Sequence, residues 1–315
     1  MAFRAKQKIS IGGYDATKFV SSVTTSETWR EITQTCTLTL ANLQQMLDNA
    51  FVVGDPVTVQ LSMSPNNDDN FKTEFTGYIS AISGKIPYTL ICENEAWKLK
   101  RAARITKTYS GSLHGLIQEV APNAIVADNL PSLTLTNFVM QNVTAFQVLK
   151  SLRERYNLVA YYRDSTLYVG LPYLESNLPT VLYDFQNNII RNKLEFVSED
   201  SQKVAVRAVS YLDNGETIET EVGDSDGAKR TLNFYNITSE SELRKVATSK
   251  LQDLKFAGYK GDFLAFGLPE VRQGWSVRLR DTRYPQREGV YIADEVETNF
   301  DERGFRRKIK LGIKL

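Results

Sequence analysis

Two stretches far apart in the chain, GDPVTVQL at 54–61 and GWSVRLRD at 274–281, carry one pattern. Each opens on a glycine and then sets an apolar side chain at every second position: Val57, Val59 and Leu61 in the first, Trp275, Val277 and Leu279 in the second. A period of two is that of a half-buried strand, here approached through a glycine turn. The neighbourhoods repeat as well. Past the first comes EFTGYISAISGKIPYTLICEN, and past the second REGVYIADEVETNFDERGFRRKIKLGIKL. Matched by residue type, each copy runs glycine, strand, loop, then glycine with an aromatic and an isoleucine (Gly77, Tyr78, Ile79 against Gly289, Tyr291, Ile292). A strand, a glycine turn (Gly84; Gly304) and a closing strand follow in both. The order is kept while the spacings differ, so the reading is a duplicated β domain whose second copy is split by a helical insertion.

The rest of the chain fits round this frame. From residue 8 to about 100 the pattern is β, with Cys36, Leu38 and Leu40 sharing one face of TCTLTL and the polar cluster SPNNDDN at 64–70 separating two strands. Between about 101 and 172 the period changes: Leu113, Leu116, Ile117 and Val120 fall at helical spacing. A second helix starts at Thr144 with Gln147 completing a capping box, carries Val148, Leu149, Leu152 and Tyr156, and leads into a hairpin around Asp164 and Ser165. Strand patterning resumes at VAVRAVSYL, where the second β domain is expected to begin. It is interrupted by a helix capped by Ser239 with Glu242 as its box. The predicted class is mainly β with α+β insertions: two similar antiparallel, tube-like β-barrel domains plus a small helix and hairpin domain. The predicted boundaries are 1–104, 105–172 and 173–315, the last interrupted by a helical insertion at about 225–265.

Composition excludes several functions. With 315 residues, 42% hydrophobic and 24% charged, the chain can bury two or three cores. Lys plus Arg total 38 against 37 for Asp plus Glu, so no overall field draws it to nucleic acid or anionic lipid. MAFRAKQKIS lacks the apolar core of a signal peptide, and no window approaches the roughly 18 apolar residues of a membrane span, so synthesis in the cytoplasm is expected. Cys36 and Cys92 sit in strand-like runs without CxxC spacing and read as buried free thiols.

His114 stands alone beside a helical stripe, and there is no H-E-x-x-H, G-x-S-x-G or P-loop. The loop GDSDG at 223–227 lacks the later glutamate of a calcium loop and reads as a solvated hairpin turn. No catalytic, cofactor-binding or metal-ligating residue is assigned, and no cofactor is expected. One charge pattern remains. In FRRKIKLGIKL, Phe305, Ile309, Leu311 and Ile313 share one face while Arg306, Lys308, Lys310 and Lys314 share the other. The basic row is either a solvated sheet surface or a docking face, for an acidic partner or for DNA passing through a lumen.

The segments FTGYI, CENEAWKLK, AFQVLKSLRERYNLVAYYRDSTLYVG and GLPEVRQGWSVRLRDTRYPQREGVYIADEVETNF occur here in order. In that order they resemble the tail hub family of contractile-tailed phages, the late control protein D group, related to the hub portion of type VI secretion spike proteins. The resemblance implies a non-enzymatic virion structural protein: a homotrimer whose two barrels per chain make a pseudo-sixfold ring. Such a ring adapts a sixfold tail tube to a threefold central spike in the baseplate of a phage or phage-like contractile injection particle. The implied partners are further copies of the chain, the tail tube protein, a separate spike protein, other baseplate proteins, and passing DNA or tape measure protein. Because the chain stops directly after its last strand, the needle and any lysozyme-like domain are expected on other polypeptides. A carbohydrate-binding or adhesion β protein, or a cell-wall hydrolase associated with a tail, would share the composition, but neither accounts for the duplication.

Overall fold

Along residues 35–40 the even positions Cys36, Leu38 and Leu40 are fully buried and the three threonines between them are not, the alternation of a strand laid on a core. The same alternation sets most of the fold in the computed structural model, which describes residues 4–41, 51–64, 69–128, 130–172, 178–198, 203–212, 214–255 and 258–315. In chain order come β1 (Arg4–Ile11), β2 (Tyr14–Asp15), β3 (Val20–Thr28), β4 (Thr35–Leu40), β5 (Pro56–Ser64), β6 (Lys72–Ser83), β7 (Thr89–Glu93) and α1 (Ala96–Arg101). Next are β8 (Ile105–Ser112), α2 (Leu113–Val120), β9 (Ala124–Val126), β10 (Thr134–Val143), α3 (Ala145–Tyr156), β11 (Val159–Arg163) and β12 (Thr166–Gly170). Then follow β13 (Thr180–Asp184), β14 (Ile189–Val197), β15 (Val204–Tyr211), β16 (Thr217–Gly223), β17 (Ala228–Tyr235) and α4 (Glu240–Leu254). The chain closes with β18 (Gly258–Phe266), β19 (Ser276–Arg280), β20 (Gly289–Asp301) and β21 (Gly304–Lys314).

The duplication is topological. The first unit is ordered β3-β4-β7-β6-β5-β1 in space and the second β14-β18-β21-β20-β19-β13. Numbered by their place in the chain, and leaving aside the short β2, both run 2-3-6-5-4-1. They differ at the outer pair, where β1 lies antiparallel to β5 but β13 parallel to β19. The registers agree too. Gly54 N–H donates to the Ile79 carbonyl and Ile79 N–H to that of Asp55; in the second unit Gly274 N–H donates to Ala293 and Ala293 N–H to Trp275. Both starting glycines hold positive φ, +102° at Gly54 and +83° at Gly274, a conformation that L side chains rarely adopt. Bulges recur at matching places, between Ile79 and Ala81 and between Ala293 and Glu295, and again between Val20 and Ser22 and between Ile189 and Arg191.

These registers correct the residue matching expected from the sequence. Ile79 corresponds to Ala293, Tyr78 to Ile292, Gly77 to Tyr291 and Phe75 to Gly289. The aromatic and the glycine have exchanged places. A Cβ on Gly77 would sit 2.7 Å from the Phe75 ring, and one on Gly289 3.1 Å from the Tyr291 ring, so in each unit a ring covers a glycine two residues away. Matching glycine to glycine therefore slips the alignment.

Each unit curls about its own core, Ile9, Ile11, Leu38, Val59 and Ile79 in the first and Tyr183, Phe263, Val277, Tyr291 and Ile309 in the second. Against the expected barrels, neither hydrogen-bond ladder closes on itself among the described residues. The ladder runs from one unit into the other and makes one sheet of 13 strands, β2 included. The insertions form a third cluster, in which Leu116 of α2, Leu149 and Leu152 of α3, Val206 of β15 and Val246 of α4 share a core. VAVRAVSYL thus does not begin the second β unit: β15 is the centre of a separate sheet, β16-β15-β17, covered by α4, and the insertion starts at that strand. Thr144 caps α3 through the expected box with Gln147. Ser239 precedes α4 but makes no side-chain cap bond, its hydroxyl meeting that of Ser241 instead.

Candidate functional site

The two units meet where β20 pairs with β3. β20 is long enough to serve both. Its first residues, Gly289 to Ile292, pair with β19, and after the bulge Glu295 to Phe300 pair antiparallel with Thr28 to Val23 of β3. Asp294 is the bulge residue. Its carboxylate accepts the Trp29 indole N–H at 2.8 Å and the Arg30 Nε at 2.6 Å, and its carbonyl accepts the Thr28 hydroxyl at 2.9 Å. Bulges re-aim a side chain, and this one turns a carboxylate of the second unit onto two consecutive residues of the first while its carbonyl holds the residue before them.

Behind the seam lies a buried polar cluster. Arg307 of β21 donates to both carboxylate oxygens of Glu74 on β6, at 2.6 and 2.8 Å, to the Gly267 carbonyl at 2.9 Å and to the Thr298 hydroxyl at 2.8 Å. Beside it, Glu27 of β3 accepts the Gln273 backbone N–H at 3.0 Å and the Gln34 amide at 3.1 Å and faces Arg272 at 3.6 Å. Arg272 in turn donates to the carbonyls of Thr73 and Glu74. Burial alone would raise the Glu74 pKa, but the Arg307 guanidinium, with Arg272 beyond it, outweighs burial and holds the carboxyl below its usual value. At Glu27 burial prevails over Arg272 and the Gln273 N–H, and the pKa is raised. A cleft of about 150 Å³ opens onto this cluster, lined by Glu27, Glu74, Arg163, Glu270 and Arg272 among others. Each of the two central carboxylates is matched by a guanidinium, so the arrangement holds the units together.

Of the four basic residues expected on one face, three share it. Arg306, Lys308 and Lys310 point away from the cores that take Phe305, Ile309 and Leu311, but a bulge beyond Leu311 sets Lys314 opposite Tyr291, on the other face and beside Gly289, and packs Ile313 with Trp29 and Ile292. The three do not form a bare positive row, since Lys310 lies 3.7 Å from Glu295 and Lys308 4.0 Å from Asp262 on the flanking strands. Their rows cross the seam. Arg306 stands opposite Asn299, Asn299 opposite Thr24, and Thr24 opposite Thr37; Lys308, Glu297, Ser26 and Thr35 make the next row. The Thr24 hydroxyl hydrogen-bonds the Asn299 side chain at 2.9 Å. One mixed-charge and hydroxyl-rich surface therefore spans both units.

Arg307 went unassigned in the sequence because its neighbours Arg306 and Lys308 hide it in a basic run. The signal was its phase: it occupies a core position, where a charge needs a buried partner. His114 lies exposed on α2. Cys36 and Cys92 are free, buried and directly opposite each other on β4 and β7. The GDSDG loop is not a hairpin turn, since β16 and β17 flank β15 on opposite sides. Its glycines let the backbone pass close to Val204, and Asp224 and Asp226 pair with Lys255 and Lys203. Residues 65–68 of SPNNDDN lie outside the described residues. Among the described residues no three His, Cys, Asp or Glu side chains are grouped to hold a metal, and no helix is long and apolar enough to cross a membrane.

No protein-family model matches the sequence, and no curated protein matches it. Solved structures do. A tail protein from Neisseria meningitidis MC58 superposes with a TM-score of 0.69 at 16% identity, over 98% of this chain and 96% of that one. The 43 kDa tail protein of prophage MuSo2 from Shewanella oneidensis gives 0.69 at 13% identity, over 98% of each chain. The E. coli c3393 protein, a component of the type VI secretion system, gives 0.64 at 9% identity over 98% of this chain and 77% of that one. The chain has the fold of phage tail proteins and of this secretion-system component.

Proposed function

We propose that this chain is a structural hub of a phage or phage-like tail, of the late control protein D kind. Three copies would form a ring that adapts a sixfold tail tube to a threefold central spike. The observation that carries the reading is the register-for-register duplication, β3-β4-β7-β6-β5-β1 against β14-β18-β21-β20-β19-β13, within one continuous sheet. Three chains with two equivalent units each offer six like surfaces on one side, while everything outside the repeat, notably the β15–β17 and α4 insertion, occurs three times. A symmetry mismatch needs an adaptor with both counts. The division into a first sheet unit, an insert cluster and an interrupted second unit follows from the same reading, and the role is non-enzymatic. Assembly would take place in the bacterial cytoplasm, with the baseplate as destination.

The surface carrying Arg306, Lys308 and Lys310 is then the wall of the ring's channel. Its lysines face acids of the same sheet, and its neighbouring rows are serine and threonine. Such a wall presents no sustained field to grip a polyanion, which suits DNA or a tape measure protein that must slide through. Sedimentation of the purified protein tests the reading: a mass of three chains is expected, and a single chain at every concentration would end it.

A further inference from the structure

The seam inside the chain specifies what a seam between chains must use. Within the chain, the half of β20 beyond its bulge pairs with β3. The matched registers make β6 the counterpart of β20 and β14 the counterpart of β3. Both counterparts have an available edge among the described residues. β14 ends the sheet and pairs with β18 alone. β6 pairs with β5 as far as Tyr78, and its last residues, Ala81 to Ser83, pair only with β7.

The side chains agree. At the internal seam Val296 stands opposite Glu27, and the two are 1% and 7% exposed. Their counterparts are Ile82 and Phe196, large apolar residues left 41% and 39% exposed. Phe196 keeps that exposure although Tyr259 packs edge-on against it and Arg287 lies over its ring. Two exposed apolar side chains thus occupy the two positions that the duplication buries elsewhere.

We propose that β6 of one copy adds to β14 of a second copy of this chain, with Ala81, Ile82 and Ser83 opposite Val197, Phe196 and Glu195 of the neighbour. The contact is an antiparallel strand addition in which main-chain bonds supply the join and the Ile82–Phe196 contact supplies the register. It stops where it must. Two residues further on, Lys85 would face the neighbour's Lys193, and β6 ends at Ser83. Each copy offers one edge of each kind, so the contact is head-to-tail, the kind of contact that builds the ring of the trimeric reading. The proposal rests on the trimeric reading above and names the strands that would make it.

The test is an Ile82→Cys/Phe196→Cys double variant of the full chain, treated with a mild oxidant or a short bismaleimide and run in denaturing gels. Cys36 and Cys92 are fully buried and do not compete. Bands of two and three chains are expected in high yield, while a Val139→Cys/Phe196→Cys control, its first cysteine on β10 outside the large sheet, stays at one chain. Phe196→Arg is expected to raise the dissociation midpoint of the ring at least tenfold while leaving the unfolding temperature of the chain unchanged. A three-chain mass without cross-linking above the control would overturn this seam and leave the hub reading standing. A single-chain mass for the parent protein would overturn the hub reading itself.

Discussion

Arg307 on β21 and Glu74 on β6 form a doubly hydrogen-bonded ion pair, 2.6 and 2.8 Å, with both side chains buried and each belonging to a different repeat. Two charges removed from water in this way gain little over apolar residues of the same size, but either one left alone is costly. Arg307→Met or Glu74→Gln is expected to lower stability by about 3–5 kcal/mol, and Arg307→Met/Glu74→Leu to recover more than half of that loss. Urea unfolding of the two single variants and the double variant measures this. Additive losses would show that the pair is not coupled.

The two glutamates of the seam are expected to respond to pH with opposite sign. Glu74, with its pKa lowered, contributes stability that is complete above the ordinary carboxylate value of about 4.3 and is lost as pH falls through the lower folded value. Glu27, with its pKa raised, costs stability while ionised, and the cost disappears as pH falls through its folded pKa. Glu27→Gln should therefore flatten the stability profile in the mildly acidic range, and Glu74→Gln the profile at stronger acid. Urea midpoints between pH 3 and 8 separate the two, and the same change from both variants would contradict the assignment.

The exchange of ring and glycine in the two repeats predicts unequal costs. Gly77→Ala would drive its new carbon into the Glu93 carbonyl oxygen, which is backbone and cannot yield, whereas at Gly289 the nearest atom is the flexible end of Lys314. The expected losses are about 3 kcal/mol at Gly77 and about 1 kcal/mol at Gly289, the two ends of the overpacking range. Equal losses would show that the register assignment is wrong.

Burial pushes the Cys92 thiol up to about 12 and holds that of Cys36 well above its usual value. Both are expected to resist a thiol reagent at pH 8 in the folded protein and to react together once urea unfolds it. Labelling of either one under native conditions would show that β4 and β7 open independently of the core.

Replacing Arg306, Lys308 and Lys310 by Gln should leave ring assembly intact, because these residues lie on the face opposite the core and away from the edges of β6 and β14. Loss of the ring in this variant would remove the channel-wall proposal. Retention of the ring with altered passage of DNA into cells would support it.

Period-two alternation made the repeat visible, since Val57, Val59 and Leu61 and their counterparts keep one face on a core in both copies. What the sequence concealed has physical reasons. The pairing of β20 with β3 joins residues at opposite ends of the chain, and local pattern carries no information about such a partner. The true residue matching was hidden because covering a glycine needs a ring nearby, not a ring at one particular place. Arg307 looked like one more surface cation, and β15 looked like a strand of the second unit, because alternation reports burial of a face without reporting which core receives it. Ser239 offered the side chain for a cap that the structure does not form.

In the proposed ring three chains supply six equivalent units. Averaged electron-microscope images of the purified particle, viewed down its axis and paired with its measured mass, test this most directly. A mass of three chains with six similar lobes around a central channel is the expected result; a ring of three lobes, or no ring at all, would contradict it.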